Sequence, residues 1–249
     1  MIRSSMPNDE APKERLRDAF QTPAAKRRYV RQLFSTIADR YDLITRLLSF
    51  GRDQHWKRLL IGRSQIAAGD LVLDLACGTG DIALLAAERA GLVVGLDLTV
   101  RMLVLAGHKG SVAGVHWVAG DMGAVPLADK SVDVVTTGYG LRNVPDLERA
   151  IGEIHRVLRP GGRLCSLDFD RPESALVRAV YLSYLSAVGG LIGLILHRDA
   201  DTYRYIPASI RRYPGAPGVS VLLRRAGFTD VQAVPLLGGL MALHVAKKT

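Results

Sequence analysis

The sequence is constrained most by a short apolar run, Leu71 to Ala76, that stops at Gly78-Thr79-Gly80 and passes at once into the alanine- and leucine-rich stretch Asp81 to Ala90. The run has the length of a buried strand. The following stretch has the composition of a helix and ends at Gly91, and the glycines between them make a tight turn. The pattern then repeats. Leu92 to Leu98 reads as a second strand, with Thr99 placed to cap the helix after it. Val115 to Ala119 and Val132 to Thr137 are the third and fourth strands. Asp146 to Leu158 is a helix stopped by Pro160-Gly161-Gly162, and Arg163 to Phe169 is a fifth strand. Such alternation predicts an α/β fold, a mostly parallel sheet with helices on both faces. A helix over Val219 to Ala226 leads to two strand-like runs, Phe228 to Val234 and Leu240 to Ala246. Gly238-Gly239 between them predicts an antiparallel hairpin at the sheet edge.

The ends of this core are different in kind. Met1 to Gln21 is polar and charged and reads as a mobile arm, which leaves 22–249 as a single domain. Within it, 22–66 is helical. Val30, Leu33, Phe34, Ile37 and Tyr41 share one helix face, and a second helix runs from Trp56 toward Gln65. A further helical insertion occupies 171–218. Its centre, Ala179 to Leu196, carries no charge and reaches the lower length limit for a membrane span. Its tyrosines, serines and glycines, and its place inside the domain, favour a buried or substrate-covering helix instead.

Apolar residues make up 48% of the 249 and charged residues 23%, which is a globular rather than a disordered balance. The net charge of +9 is concentrated early, with 14 basic against 7 acidic residues through Arg63. Clusters such as Lys26-Arg27-Arg28 suit a solvated surface, an anionic membrane, a nucleic acid or a charged cofactor. No zinc finger, heptad or aromatic-rich RNA-binding signature accompanies them, so nucleic acid is not expected. Cys77 and Cys165 lack zinc-site spacing, and no metal is expected. In the folded sheet they stand two strands apart, about 9–10 Å, too far for a disulfide. The first residues contain no apolar stretch, so no signal peptide is expected and the expected location is cytoplasmic.

In a doubly wound sheet, ligands bind at the carboxyl ends of the strands. Gly78, Thr79 and Gly80 lie there, where missing side chains and free helix N–H groups admit a ligand closely. Asp97 ends the second strand and can accept hydrogen bonds from a ribose diol. Asp121 ends the third and can accept from an adenine amino group. Gly78-x-Gly80-x-x-Ala83 with Asp97 also fits a dinucleotide fingerprint. Asp74, placed to receive a cationic amino group, and Asp81, at the helix start, argue against a pyrophosphate and for S-adenosylmethionine.

These residues resemble the class I S-adenosylmethionine-dependent methyltransferases. The resemblance rests on Asp74-Leu-Ala-Cys-Gly-Thr-Gly-Asp81, Gly120-Asp121, Pro126-Leu-Ala-Asp-Lys-Ser-Val-Asp133 and Leu158-Arg-Pro-Gly-Gly162. Phe34 to Asp42, Leu48 to Gly51 with Trp56-Lys-Arg58, Gly140-Leu-Arg-Asn-Val144, and Asp199 to Tyr205 with Ser209-Ile-Arg211 are similar to the UbiE/MenG family. That family comprises the ring C-methyltransferases of menaquinone and ubiquinone biosynthesis. The resemblance implies a seven-stranded Rossmann-like sheet with a reversed final hairpin. It implies that Thr79, Asp97, Asp121 and Met122 touch the methyl donor, and that the position of Gly138, often serine in the family, faces it. It implies a polyprenyl hydroquinone acceptor, demethylmenaquinol first. Methylation of another phenolic or polyketide acceptor is the alternative, and the dinucleotide fingerprint keeps a NAD-dependent oxidoreductase as a further rival.

The methyl of a sulfonium is already activated, so the enzyme must align it with an electron-rich ring carbon. Loss of the neighbouring phenolic proton makes that carbon nucleophilic. Arg142 and Asn143 follow the fourth strand, where an acceptor would lie. Arg142 can stabilise a phenolate but is a poor base, or it can form an ion pair with Asp146 or Glu148. Tyr41 is a candidate for orienting a water or the acceptor hydroxyl, or it packs in the core. His197, Asp199, Asp201 and Tyr203 follow the apolar helix and are alternatives for lining the acceptor site. The polyprenyl tail needs an apolar groove, which Ala179 to Leu196 and the Val30 to Tyr41 region can supply. The basic N-terminal quarter can draw the protein to the inner face of an anionic membrane. Homodimer formation is left open.

Overall fold

A computed structural model describes residues 16–49, 51–110, 112–197 and 201–249. Helix α1 (Pro23–Ile37) starts at Thr22, whose hydroxyl accepts from the Ala25 N–H at 3.1 Å. A single 3-10 turn (Ala38–Arg40) leads to α2 (Tyr41–Leu48), and α3 (Asp53–Ser64) follows. The alternating part runs β1 (Leu71–Leu75), α4 (Asp81–Ala87), β2 (Leu92–Asp97), α5 (Val100–Lys109), β3 (Val115–Ala119), β4 (Val132–Gly138), α6 (Leu147–Val157) and β5 (Leu158–Phe169). Three helices come next: α7 (Ala175–His197), α8 (Asp201–Arg212) and α9 (Gly215–Arg225). Strands β6 (Phe228–Leu236) and β7 (Met241–Lys248) close the chain.

The sheet has seven strands in the order β3-β2-β1-β4-β5-β7-β6. The pairs from β3 to β5 are parallel, and β7 runs antiparallel between β5 and β6. The predicted α/β class, with its reversed final hairpin at the sheet edge, is therefore the observed one. Order reverses at β1 and β4, which opens a crevice at their carboxyl ends. Both cysteines are free and buried, Cys77 in the loop after β1 and Cys165 on β5, with β4 between those two strands.

Burial follows the two faces of the sheet. Leu73 and Leu75 of β1 pack with Ile151, Ile154, Val219 and Leu223 on one side. Val72 packs with Trp56, Leu60, Ile82 and Ala83 on the other. Each such leucine contributes about 1.5–3 kcal/mol by leaving water. A separate cluster sits off the sheet, where Tyr29, Val30, Leu33 and Ile37 of α1 meet Tyr203 and Tyr205 of α8. This cluster makes a cap over the crevice.

Four expectations are adjusted. The stretch read as an arm is folded in at its end, because Leu16, Ala19 and Phe20 join the cap and Phe20 stacks on Tyr205 at 5.7 Å. Residues 1–15 lie outside the described ones. The fifth strand begins at Leu158, directly after α6, since Leu158 pairs with Val132 before a bulge resumes pairing at Arg163. Thr99 takes the cap position of α5 without a side-chain cap bond, and Asp97 accepts its N–H at 2.7 Å instead. Helix α7 is buried on one side only: Leu182 and Leu185 are buried and Gly189 lets Tyr203 approach closely, but Leu176, Val180, Leu191 and Ile195 on its other side are more than half exposed. Among the described residues it is the only helix long and apolar enough to cross a membrane by length and composition.

Candidate active site at the carboxyl edge of the sheet

Two clefts meet at the crevice. The first, about 670 Å³ with its open mouth, is lined by Ala76, Gly78, Asp97, Leu98, Asp121, Met122, Gly138 and Gly140. Asp97 is fixed from two sides, since its carboxylate accepts from the Gly78 N–H at 2.9 Å and the Thr99 N–H at 2.7 Å. Burial nevertheless pushes its pKa up. Asp121 accepts from the Gly123 N–H at 2.8 Å and pairs with Arg27 at 3.1 Å across the mouth. The backbone must come close here. A Cβ at Gly140 would sit 2.4 Å from Thr137 Oγ1 and 3.0 Å from Ala76 Cβ.

The second cavity, about 810 Å³, is almost wholly apolar and lies under the cap. Its walls include Leu33, Ile37, Ile44, Leu48, Trp56, Phe169, Tyr181 and Ile206, with Arg142 and Tyr205 among them. Phe34, Tyr41, Tyr139 and Asn143 line both cavities and form the window between them. Asn143 is held by its amide nitrogen, which donates to the Tyr139 carbonyl at 2.7 Å. Its Oδ1 is buried and has no hydrogen-bond partner, and the Tyr205 hydroxyl is likewise unsatisfied. Buried polar atoms without partners are costly, so these two are poised to take a ligand's hydroxyls. Burial pushes the Tyr41 phenol up to about 12, so Tyr41 stays neutral near pH 7.

Arg142 is buried and forms its ion pair with Asp168 at 3.4 Å, not with Asp146 or Glu148. Asp146 instead caps α6 by accepting from the Arg149 N–H at 2.9 Å. Ser209 of α8 also accepts from the Arg142 guanidinium, and the Phe169 ring lies 5.0 Å from its centre. Asp168 accepts from the Arg142 backbone N–H at 3.0 Å as well. Burial raises the pKa of Asp168, against the pull of Arg142. Lys26 of α1 turns inward and donates to the carbonyls of Arg142 (3.1 Å) and Val144 (2.6 Å). Burial, with Arg142 nearby, lowers its pKa to about 8. The basic cluster at residues 26–28 is thus partly structural: Lys26 clamps the loop of Arg142, and Arg27 pairs with Asp121 at the first cleft.

Asp74, Thr79 and Gly80 do not line the first cleft. Asp74 points to the α4 side of β1, fully buried, where Oδ1 accepts from the Thr136 hydroxyl at 2.8 Å and Oδ2 has no partner. Burial raises its pKa to about 7. The Thr79 hydroxyl donates to Asp42 at 2.6 Å. Gly80 makes room for Trp117, whose ring would lie 2.5 Å from an added Cβ. Asp81 is neutralised by Lys57 at 2.8 Å and by Lys109, and despite partial burial these cations hold its pKa near 2. Its charge is therefore a weaker bar to a phosphate than the bare sequence implies. At Gly138, the space a serine would need is filled by Ile82, 2.4 Å from an added Cβ. His197 Nε2 meets the Tyr203 hydroxyl at 2.9 Å. Asp199 and the side chain of Asp201 lie outside the described residues. Among the described residues no three His, Cys, Asp or Glu side chains are grouped to hold a metal ion.

Fold and clefts together define a methyl-donor enzyme: a reversed-hairpin seven-stranded sheet, two acidic strand ends at the crevice, and an apolar cavity one window away. The ubiE/COQ5 methyltransferase family model matches residues 22–248, and the chain belongs to that family. It is 40% identical to a demethylmenaquinone methyltransferase of Thermus thermophilus over 87% of this chain and 100% of that one. It is 36% identical to a ubiquinone/menaquinone biosynthesis C-methyltransferase of Francisella tularensis subsp. novicida, over 90% and 92%. A Thermotoga maritima methyltransferase structure, described as a possible histamine N-methyltransferase, shares the fold with a TM-score of 0.64 at 21% identity, covering 88% and 100%. The chain is an S-adenosylmethionine-dependent methyltransferase.

Proposed function

We propose that this enzyme methylates a ring carbon of a reduced polyprenyl quinone precursor, demethylmenaquinol first, by metal-independent transfer. The observation that carries the reading is the apolar cavity joined to the donor cleft by the window of Phe34, Tyr41, Tyr139 and Asn143. The relatives named for quinone methylation support it.

S-adenosylmethionine supplies an activated methyl group. Asp97 and Asp121 accept from its ribose and adenine, Met122 lies beside them, Gly78 lets the backbone approach, and Gly138 borders the cleft with Ile82 packed where its side chain would be. Asp74, Thr79 and Gly80 shape the loop from behind. On the acceptor side, the hydroquinone ring lies at the window. Asn143 Oδ1 accepts from one ring hydroxyl, Tyr41 orients it, and Arg142 stabilises the developing phenolate. The prenyl tail runs along the apolar wall of the cap. A labelled-methyl assay with reduced naphthoquinone and benzoquinone precursors tests the reading. Transfer to a ring carbon of the naphthoquinol is expected. Transfer only to unrelated phenols sinks the quinone assignment.

The exposed side of α7 and the basic surface of α1 support a cytoplasmic enzyme peripheral to an anionic membrane. Flotation with vesicles rich in anionic lipid checks this, and an absence of binding at low salt overturns it.

A further inference from the structure

The acceptor cavity is apolar, yet each methyl transferred to a phenolic ring releases one proton, and that proton needs a way out. Tyr139 stands at the end of β4 with a left-handed backbone, φ +61°. Such a conformation is uncommon for a bulky residue and marks a position fixed by its surroundings. The Tyr139 N–H donates to the Leu167 carbonyl at 2.6 Å, and the Tyr139 carbonyl accepts from Asn143. Its ring lies 5.7 Å from that of Phe169. These contacts hold the ring in the wall shared by both cavities.

The Tyr139 hydroxyl donates to Asp53 Oδ1 at 2.8 Å. Asp53 is the first residue of α3 and is buried, and its other oxygen pairs with Lys57 at 2.6 Å. Lys57 in turn pairs with Asp81 of α4. On its far side Asp53 borders a separate polar cleft of about 390 Å³, lined by Asp42, Arg46, Gln54, Asp81 and Lys109. Asp53 therefore touches the window residue on one side and a water-accessible cleft on the other.

We propose that Tyr139 and Asp53 form the proton exit of the methyl transfer, with Tyr139 meeting the acceptor's hydroxyl and Asp53 passing the proton to the polar cleft. This rests on the phenolic acceptor proposed above. The acceptor O–H bond breaks as its proton moves to the Tyr139 oxygen and the proton of Tyr139 moves to Asp53 Oδ1. The electron pair freed on the ring makes the carbon–carbon bond to the methyl as the carbon–sulfur bond breaks, and the neutral thioether leaves. The hydrogen on that ring carbon then departs as a proton and the ring oxygen is reprotonated. One proton net reaches solvent. Asp53 acts through Tyr139 and is a positioning and relay residue, with Lys57 holding its carboxylate in place.

The test is Tyr139→Phe, which keeps the ring and removes the oxygen, with Asp53→Asn as a second variant. Both are checked for S-adenosylhomocysteine binding and thermal melting. Single-turnover methyl transfer is measured on a naphthohydroquinone and on a ring-halogenated analogue whose phenol is more acidic. Loss of a general base costs on the order of 100-fold or more. That loss is expected on the parent acceptor for both variants, with recovery to within about tenfold of wild type on the acidic one. Full activity of Tyr139→Phe on the parent, or an equal loss on both acceptors, overturns the relay while leaving the acceptor reading intact. A wild type that binds donor and methylates no reduced quinone overturns both.

Discussion

Asp74 is a buried carboxyl with the Thr136 hydroxyl and the Ala83 backbone beside it, and burial outweighs both and raises its pKa to about 7. A carboxyl whose pKa is raised on folding favours the native state fully below its unfolded value near 4, and that advantage is lost as pH climbs through about 7. Asp74→Asn keeps an acceptor for Thr136 and cannot ionise. Its melting temperature relative to wild type should therefore rise between pH 4 and pH 8, which calorimetry across that range can check. A constant difference would mean that Asp74 ionises freely in the folded protein. At the same scale, Gly140→Ala brings a methyl onto Thr137 Oγ1 and the Ala76 Cβ. Overpacking of this kind costs about 1–3 kcal/mol. Because these atoms border the donor cleft, weaker S-adenosylhomocysteine binding by titration calorimetry should accompany a lower melting temperature.

Among the elements, α3 and α5 are both tied by charge to Asp81 just after the glycine loop, through Lys57 and Lys109. Lys57 lies between Asp53 and Asp81 with its side chain almost wholly out of water, and the two carboxylates outweigh burial and raise its pKa. Lys57→Met leaves the buried Asp53 without its cation and the half-buried Asp81 with Lys109 alone. Removing one partner of a buried pair costs about 3–5 kcal/mol, and adding Asp53→Asn should return part of it. Urea unfolding of the single and double variants measures this coupling. These elements also show what a sequence can disclose. β1 and β2 were legible because buried parallel strands are apolar runs bounded by turn residues. The acidic strand ends Asp97 and Asp121 were legible for the same reason, since position along a strand fixes which end faces the crevice. The partners of Arg142, Lys26 and Tyr139 were not. They lie 26, 118 and 86 positions away, and no periodicity tells a donor which distant acceptor it will meet. The exposure of α7 was hidden too, because an apolar helix reads alike whether it packs on one side or on all.

For the whole molecule, charge and apolar exposure point the same way. The net charge is +9, Arg28 and Arg31 are exposed on α1, and α7 presents Leu191 and Ile195 to solvent. Leu191→Asp/Ile195→Asp should leave the melting temperature within a degree or two, since neither side chain is packed. Vesicle binding should fall about tenfold or more, as each change removes buried apolar area and adds repulsion from anionic lipid. Raising salt should release the wild type, because the Debye length shrinks from about 10 Å at 0.1 M to about 3 Å at 1 M. The cap over the crevice carries one further consequence, in the order in which the chain is made. Helix α1 leaves the ribosome well before its apolar partners Tyr203 and Tyr205, which lie far downstream in the chain. At roughly 5–20 residues per second, that helix waits on the order of ten seconds or more with its apolar face uncovered. A basic amphipathic segment left waiting in this way is open to chaperones and lipid alike, and the parallel strands β1 to β5 are all made before the acceptor cavity has a roof.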